Sequence, residues 1–187
     1  MGCNASQELR PKKEVPQKAT IKIPFLGKSG VGKSSIALRY CHNYFSDQME
    51  VTIGASFLTK NFASENLRSP VKIELWDTAG QERYRALVPM YYRNADIVVL
   101  VYDITVEQTF KALEDWLSEI KRNLPGIPII ICGNKSDLYE YREVSSETGE
   151  RYAENNGCLY IETSSKTPDN IDKLFELAVE HVVGKTS

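Results

Sequence analysis

The run Gly27-Lys28-Ser29-Gly30-Val31-Gly32-Lys33-Ser34-Ser35 fits the spacing G-x-x-x-x-G-K-[ST]. Glycines at that spacing free the backbone to turn successive N–H groups inward around a phosphate. Lys33 then brings a point charge to β- and γ-phosphates, and the Ser34 hydroxyl is placed to ligate Mg²⁺. Ser29, Gly30, Val31, Gly32 and Ser35 complete the expected cradle. A helix opening at Lys33 would direct its N-terminal dipole at the same anion.

A second constellation, Asp77-Thr78-Ala79-Gly80-Gln81, begins where an apolar run ending in Trp76 stops. An acidic residue at the end of a strand can hold the metal through its water shell. Gly80 lets a backbone N–H approach the γ-phosphate, and Gln81 can orient an attacking water. Gln81 and Lys33 are therefore the candidate catalytic residues. Thr52, in Val51-Thr52-Ile53-Gly54, joins Ser34 and Asp77 as a metal ligand if its loop folds over the site; otherwise it is a threonine on a strand surface.

The third constellation reads a base. Asn134-Lys135-Ser136-Asp137 follows an apolar run, and the Asp137 carboxylate matches the N1–H and 2-amino donors of guanine. Adenine offers neither donor, and a site that leaves a buried acceptor unpaired rejects the wrong partner by about 10⁴-fold or more. Asn134 can tie loops together, while the stem of Lys135 covers the base face. Ser164-Ser165-Lys166 offers a backbone N–H to guanine O6. Phe45 closes the other side by aromatic contact or, alternatively, serves as an ordinary core residue.

These residues need elements to hold them. From Thr20 onward, β-rich apolar runs at 21–26, 71–77, 97–102, 127–132 and 159–162 alternate with amphipathic segments at 33–43, 86–93, 106–124, 146–155 and 170–183. Strands apolar nearly throughout and separated by helices predict a mostly parallel, doubly wound α/β sheet. Runs 57–62 and 71–77, joined by a short polar loop, predict one antiparallel hairpin at the edge. Pro24 falls inside the first strand, so a bulge or an unpaired position is expected there. Residues 1–19 lack hydrophobic periodicity and read as a flexible tail, followed by one domain over 20–183 and a short tail at 184–187.

The bulk properties agree. A chain of 187 residues suits a single core. Its net charge of −2 and pI near 5.8 argue against a nucleic-acid partner. Cys3, Cys41, Cys132 and Cys158 show neither zinc-ligand nor disulfide spacing, which points to a reducing, cytosolic compartment.

Together GKSGVGKSS, TIGASF, WDTAGQERYRALVPMYYRNAD, GNKSD and ETSSKT span residues 27–167 in the order and spacing of the Rab family within the Ras superfamily, and resemble its endosomal branch. The resemblance implies the small G-protein P-loop fold and a monomeric, slow GTPase with GTP and GDP as substrate and product and Mg²⁺ as cofactor. It also implies an exchange factor, a GTPase-activating protein and endosomal effectors. The family's effector-facing aromatic residues fall on Phe57, Trp76 and Tyr91, which on sequence alone suit a core equally well. Ser29 stands where Ras proper carries glycine, and Ser165 replaces the usual alanine. Gln81 argues against a binding scaffold without hydrolysis. Asn134, Lys135 and Asp137 argue against an adenine-nucleotide enzyme.

Rabs usually carry prenylated C-terminal cysteines, whereas the last cysteine here is Cys158. Met1-Gly2-Cys3-Asn4-Ala5-Ser6 instead fits M-G-x-x-x-[ST], the signature for myristoylation of Gly2. One myristoyl chain binds membranes at only about 10⁴ M⁻¹, so a palmitoyl group on Cys3 is the expected second anchor. This resembles an N-terminally acylated plant and protist Rab branch. The expected location is the cytoplasmic face of endosomal membranes or the plasma membrane, with a cytosolic pool.

Overall fold

In the computed structural model, β1 (Thr20–Leu26) runs into a glycine-rich loop and then α1 (Lys33–His42). β2 (Ala55–Phe62) and β3 (Val71–Thr78) follow, then α2 (Val88–Tyr92), β4 (Val98–Asp103), α3 (Glu107–Lys111) and α4 (Leu113–Asn123). The chain finishes with β5 (Ile129–Asn134), α5 (Ser146–Asn155), β6 (Leu159–Thr163) and α6 (Ile171–Gly184). The structure describes residues 18–65 and 67–184. Gly2, Cys3, most of the expected N-terminal tail and the last residues of the C-terminal tail lie outside them.

The strands form one six-stranded sheet in the order β2-β3-β1-β4-β5-β6. Only the β2–β3 pair is antiparallel, as the hairpin pattern predicts. Every residue of β4 and β5 is buried, which is the condition of parallel strands covered on both faces. Alternation along each strand divides the core in two. Ile21, Ile23, Phe25, Val99 and Val101 face α1 and α6, where the Tyr40 and Phe175 rings stack. Leu26, Val98, Leu100 and Tyr102 face Tyr92 of α2, Trp116 and Ile120 of α4, and Ala153 of α5.

Pro24 is accommodated by an unpaired position. The Lys22 N–H donates to the Asp96 carboxylate and its C=O accepts from the Asp96 N–H, so even-numbered β1 residues face the β4 side. The missing Pro24 donor therefore points there too, and the β1–β4 ladder starts beyond it, at Phe25 opposite Val99.

Two helical expectations are refined. The segment at 86–93 divides into a 3₁₀ turn over Glu82–Leu87 and the short α2. The segment at 106–124 bends at Ala112. There the Thr109 hydroxyl anchors α3 to the backbone of Asp103 and Val106, while α4 turns to lay Leu113, Trp116, Leu117 and Ile120 on the sheet.

The strand order reverses direction at β1, whose neighbours are β3 and β4. Loops leaving the carboxyl ends of the strands at such a switch point enclose a crevice.

Candidate functional site

That crevice is a cleft of about 400 Å³. One end is lined by Ser29, Gly30, Gly32, Lys33, Ser34 and Ser35, the other by Asn134, Lys135, Asp137, Ser165 and Lys166. Phe45 and Thr52 line the wall between them, and Gly80 borders the phosphate-loop end.

The glycine-rich loop takes its shape from close approaches that a side chain would prevent. Gly32 has φ 95°, and a Cβ there would meet Asn134 Nδ2 at 2.2 Å. A Cβ on Gly80 would meet the Lys28 and Ser29 backbone at 2.4 Å, so the loop after β3 touches the loop after β1 only because residue 80 lacks one. Inside the loop, Lys33 Nζ donates to the Gly27 and Lys28 carbonyls at 3.0 and 2.8 Å. Burial pushes the Lys33 ammonium down to about 8, against the opposing pull of Asp77. An anion in the cradle would restore the charge.

Beside it lies an all-oxygen donor set. Ser34 Oγ is 2.7 Å from Thr52 Oγ1, and the Thr52 and Ser56 hydroxyls reach Asp77 Oδ2 at 3.5 and 3.4 Å. The loop bearing Thr52 is thus folded over the site. Asp77 is 2% exposed, and its Oδ1 is buried without a hydrogen-bond partner among the described residues. Burial raises the Asp77 carboxyl above its usual value, opposed by Ser34, Lys33, Ser56 and Thr52. A buried carboxylate oxygen without a partner, beside two hydroxyls, fits a hard divalent cation such as Mg²⁺. Among the described residues there is no cluster of three His, Cys, Asp or Glu side chains that could hold a metal, and here hydroxyls supply the remaining oxygens.

At the other end Asn134 is 1% exposed. Its Nδ2 donates to the Val31 carbonyl at 2.9 Å, while its Oδ1 accepts from Thr163 Oγ1 at 3.1 Å. This one amide ties the phosphate loop to β6. Asp137 Oδ1 accepts from Ser164 Oγ at 2.5 Å, which fixes the carboxylate against the following loop. Ser164 also organises its own turn, since Oγ accepts from the N–H groups of Lys166 and Thr167 at 3.1 Å each. Lys135 sits in the left-handed region at φ 69°, and its Nζ pairs with Asp103 Oδ2 at 2.6 Å.

Asp103 was not signalled by any motif. It closes the apolar β4 run, is 4% exposed and is held by the Thr105 N–H and hydroxyl at 2.9 and 2.7 Å. An acid ending a fully apolar strand, one strand over from Asn134, is the available sequence signal.

Gln81 lies one residue past Gly80, half-buried at the start of the 3₁₀ turn and outside the residues lining the cleft. Phe57, Trp76 and Tyr91 assemble at the β2–β3 edge. The Phe57 and Trp76 centroids are 4.9 Å apart, those of Trp76 and Tyr91 6.0 Å, and Phe57 is 47% exposed. The three form a surface cluster rather than joining either core.

A family model described as the Ras family matches residues 22–184. The chain is also 46% identical over 155 residues to the Ras-related protein Rab-5A of Dictyostelium discoideum, a match that covers 82% of this chain and 76% of that protein.

Proposed function

The chain belongs to the Ras family as a Rab small GTPase of the endosomal type, and from that premise we propose a membrane-anchored switch in endosomal vesicle traffic that hydrolyses GTP slowly. The observation that carries this reading is the single cleft joining the Gly30–Ser35 loop to Asn134, Lys135 and Asp137.

In this reading Asp137 accepts from guanine N1–H and the 2-amino group, and the Lys135 stem lies over the base. The N–H groups of Ser164 and Lys166 are engaged by Asp169 and by the Ser164 hydroxyl, which leaves the Ser165 N–H for O6. The loop amides from Ser29 to Ser35 and the Lys33 ammonium bind the phosphates. Ser34, Thr52 and Asp77 would hold Mg²⁺, which supplies charge neutralisation across the β- and γ-phosphates when bound. Gln81 orients the attacking water after moving toward the γ-phosphate. Because it stands outside the cleft lining, turnover is expected to depend on an activating protein that positions it. An exchange factor and endosomal effectors complete the cycle, and the Phe57, Trp76 and Tyr91 cluster suits an effector surface.

No helix among the described residues is long and apolar enough to cross a membrane. The Met1-to-Ser6 motif supports anchoring by myristate on Gly2 and palmitate on Cys3.

The experiment is competition binding of GDP, GTP, ADP, ATP and xanthosine diphosphate, with and without Mg²⁺, on wild type and Asp137→Asn. Tight guanine binding that rejects adenine by about 10⁴-fold, with preference moving to xanthine in the variant, is the expected outcome. Comparable affinity for ADP would sink the reading.

A further inference from the structure

Arg39 lies on α1, beyond the glycine-rich motif, yet it reaches both the Ser165–Lys166 loop at the base end of the cleft and the segment that follows α1. Its Nε donates to the Ser165 carbonyl at 2.7 Å and Nη2 to the Lys166 carbonyl at 3.3 Å. Its Nη1 donates to the carbonyl and Oδ1 of Asn43 at 3.1 and 3.0 Å. The guanidinium carbon is 5.8 Å from the Phe45 ring centroid. Asn43 is the left-handed residue that ends α1, at φ 50°, and turns the chain toward Phe45 and Thr52.

A guanidinium offers its donors in a rigid planar fork, so its partners are fixed relative to one another. Here the partners are a buried serine in the base-reading loop and the first turn of the segment leading to the metal donors. The helix that carries the fork starts at Lys33, so both are also fixed relative to the phosphate loop.

We propose that Arg39 is a positioning residue that aims the Ser165 N–H at guanine O6 and couples that loop to the segment running from Asn43 to Thr52. The inference rests on the assignment of the Ser165 N–H to O6.

The test uses the full chain as wild type, Arg39→Lys and Arg39→Gln, loaded in turn with GDP, inosine diphosphate and 6-thioguanosine diphosphate at neutral pH. Inosine lacks only the 2-amino group that Asp137 reads. The thio analogue keeps both Asp137 donors and replaces O6 with a weaker acceptor. Arg39→Gln is expected to release GDP about tenfold faster, the scale of one charge-assisted hydrogen bond. It should lose most of the preference for GDP over the thio analogue while keeping the preference for GDP over inosine diphosphate. Arg39→Lys, with one donor point in place of the fork, should fall between the two. The same graded pattern in Arg39→Lys decides the matter if the glutamine variant does not fold.

An unchanged GDP release rate would overturn the proposal. So would a parallel fall in both preferences, the mark of general loosening. Wild type that does not distinguish GDP from the thio analogue would overturn the Ser165 assignment and this inference with it. That failure is recognisable because it precedes any substitution.

Discussion

Lys33 and Asp77 are opposite charges that burial disfavours in both cases, lowering the affinity of one for its proton and raising that of the other. Their residual attraction does not satisfy either group. Lys33 is held on loop carbonyls that a phosphate oxygen would replace as acceptor, and Asp77 keeps an oxygen without a partner among the described residues. The site is therefore poised for an anion and a cation together, which is how a Mg²⁺-nucleotide presents itself. The Gln81 backbone carbonyl accepts from the Tyr84 N–H at 3.0 Å, but the residue has no place in the cleft lining. Its contribution should appear in rate and not in affinity. Gln81→Leu is expected to bind GTP as wild type does and to hydrolyse it at least about tenfold more slowly in single-turnover assays with activating protein. Equal rates would remove Gln81 from the mechanism.

At the scale of elements, the base-reading loops depend on how α5 and the turn before it seat against β6. Arg142 makes a two-pronged pair with Glu162, at 2.7 and 2.8 Å, and Tyr160 donates to the same carboxylate at 2.9 Å. Tyr102 reaches Tyr160 at 3.0 Å, and a Cβ on Gly149 of α5 would meet the two tyrosine oxygens at 2.6 and 2.5 Å. Only glycine lets α5 lie this close to the network. Burial by itself would raise the Glu162 carboxyl, but Arg142, Tyr160 and Ser146 together hold it below the usual value. A carboxylate with a depressed folded-state value contributes stability fully above its unfolded value of about 4.3 and loses it as pH falls through the folded one. Glu162→Gln should lower the melting temperature of the GDP-bound protein near pH 7 by several degrees, from a loss of about 1–3 kcal/mol. The gap to wild type should narrow below about pH 4. A gap independent of pH, measured by thermal unfolding across that range, would show that shape and not charge is at stake.

Across the whole molecule, the sheet separates a nucleotide face, at the carboxyl ends of its parallel strands, from the end at which the chain enters β1. The first described residues lead into Thr20 at that opposite end. In the proposed reading, a tail acylated on Gly2 would join the domain at the end away from the cleft. Gly2→Ala should therefore move the protein from membrane to soluble fractions while leaving guanine-nucleotide affinity as in wild type. Unchanged fractionation would remove Gly2 from the anchoring account.

The chemistry was legible in the sequence wherever it depends on local spacing. Gly27 through Ser34, Asp77 through Gln81 and Asn134 through Asp137 are each a short run whose geometry follows from one loop. The alternation of apolar strands with amphipathic helices likewise carried the parallel sheet covered on both faces, because burial on two faces leaves a continuous apolar run, and the short polar loop between runs 57–62 and 71–77 marked the antiparallel pair. Long-range contacts left no such mark. Arg39 meets Ser165, and Asp103 meets Lys135, across separations that no spacing rule connects. The placing of Phe57, Trp76 and Tyr91 on an edge instead of in a core was equally open, since aromatic residues suit either and only the packing of neighbouring elements decides. The sequence by itself marked the short runs that line most of the cleft, but it did not mark Asp103 and it included Gln81, which stands outside the lining. Tertiary structure decided which of them touch, because a charged side chain finds its partner by where the folded backbone places it.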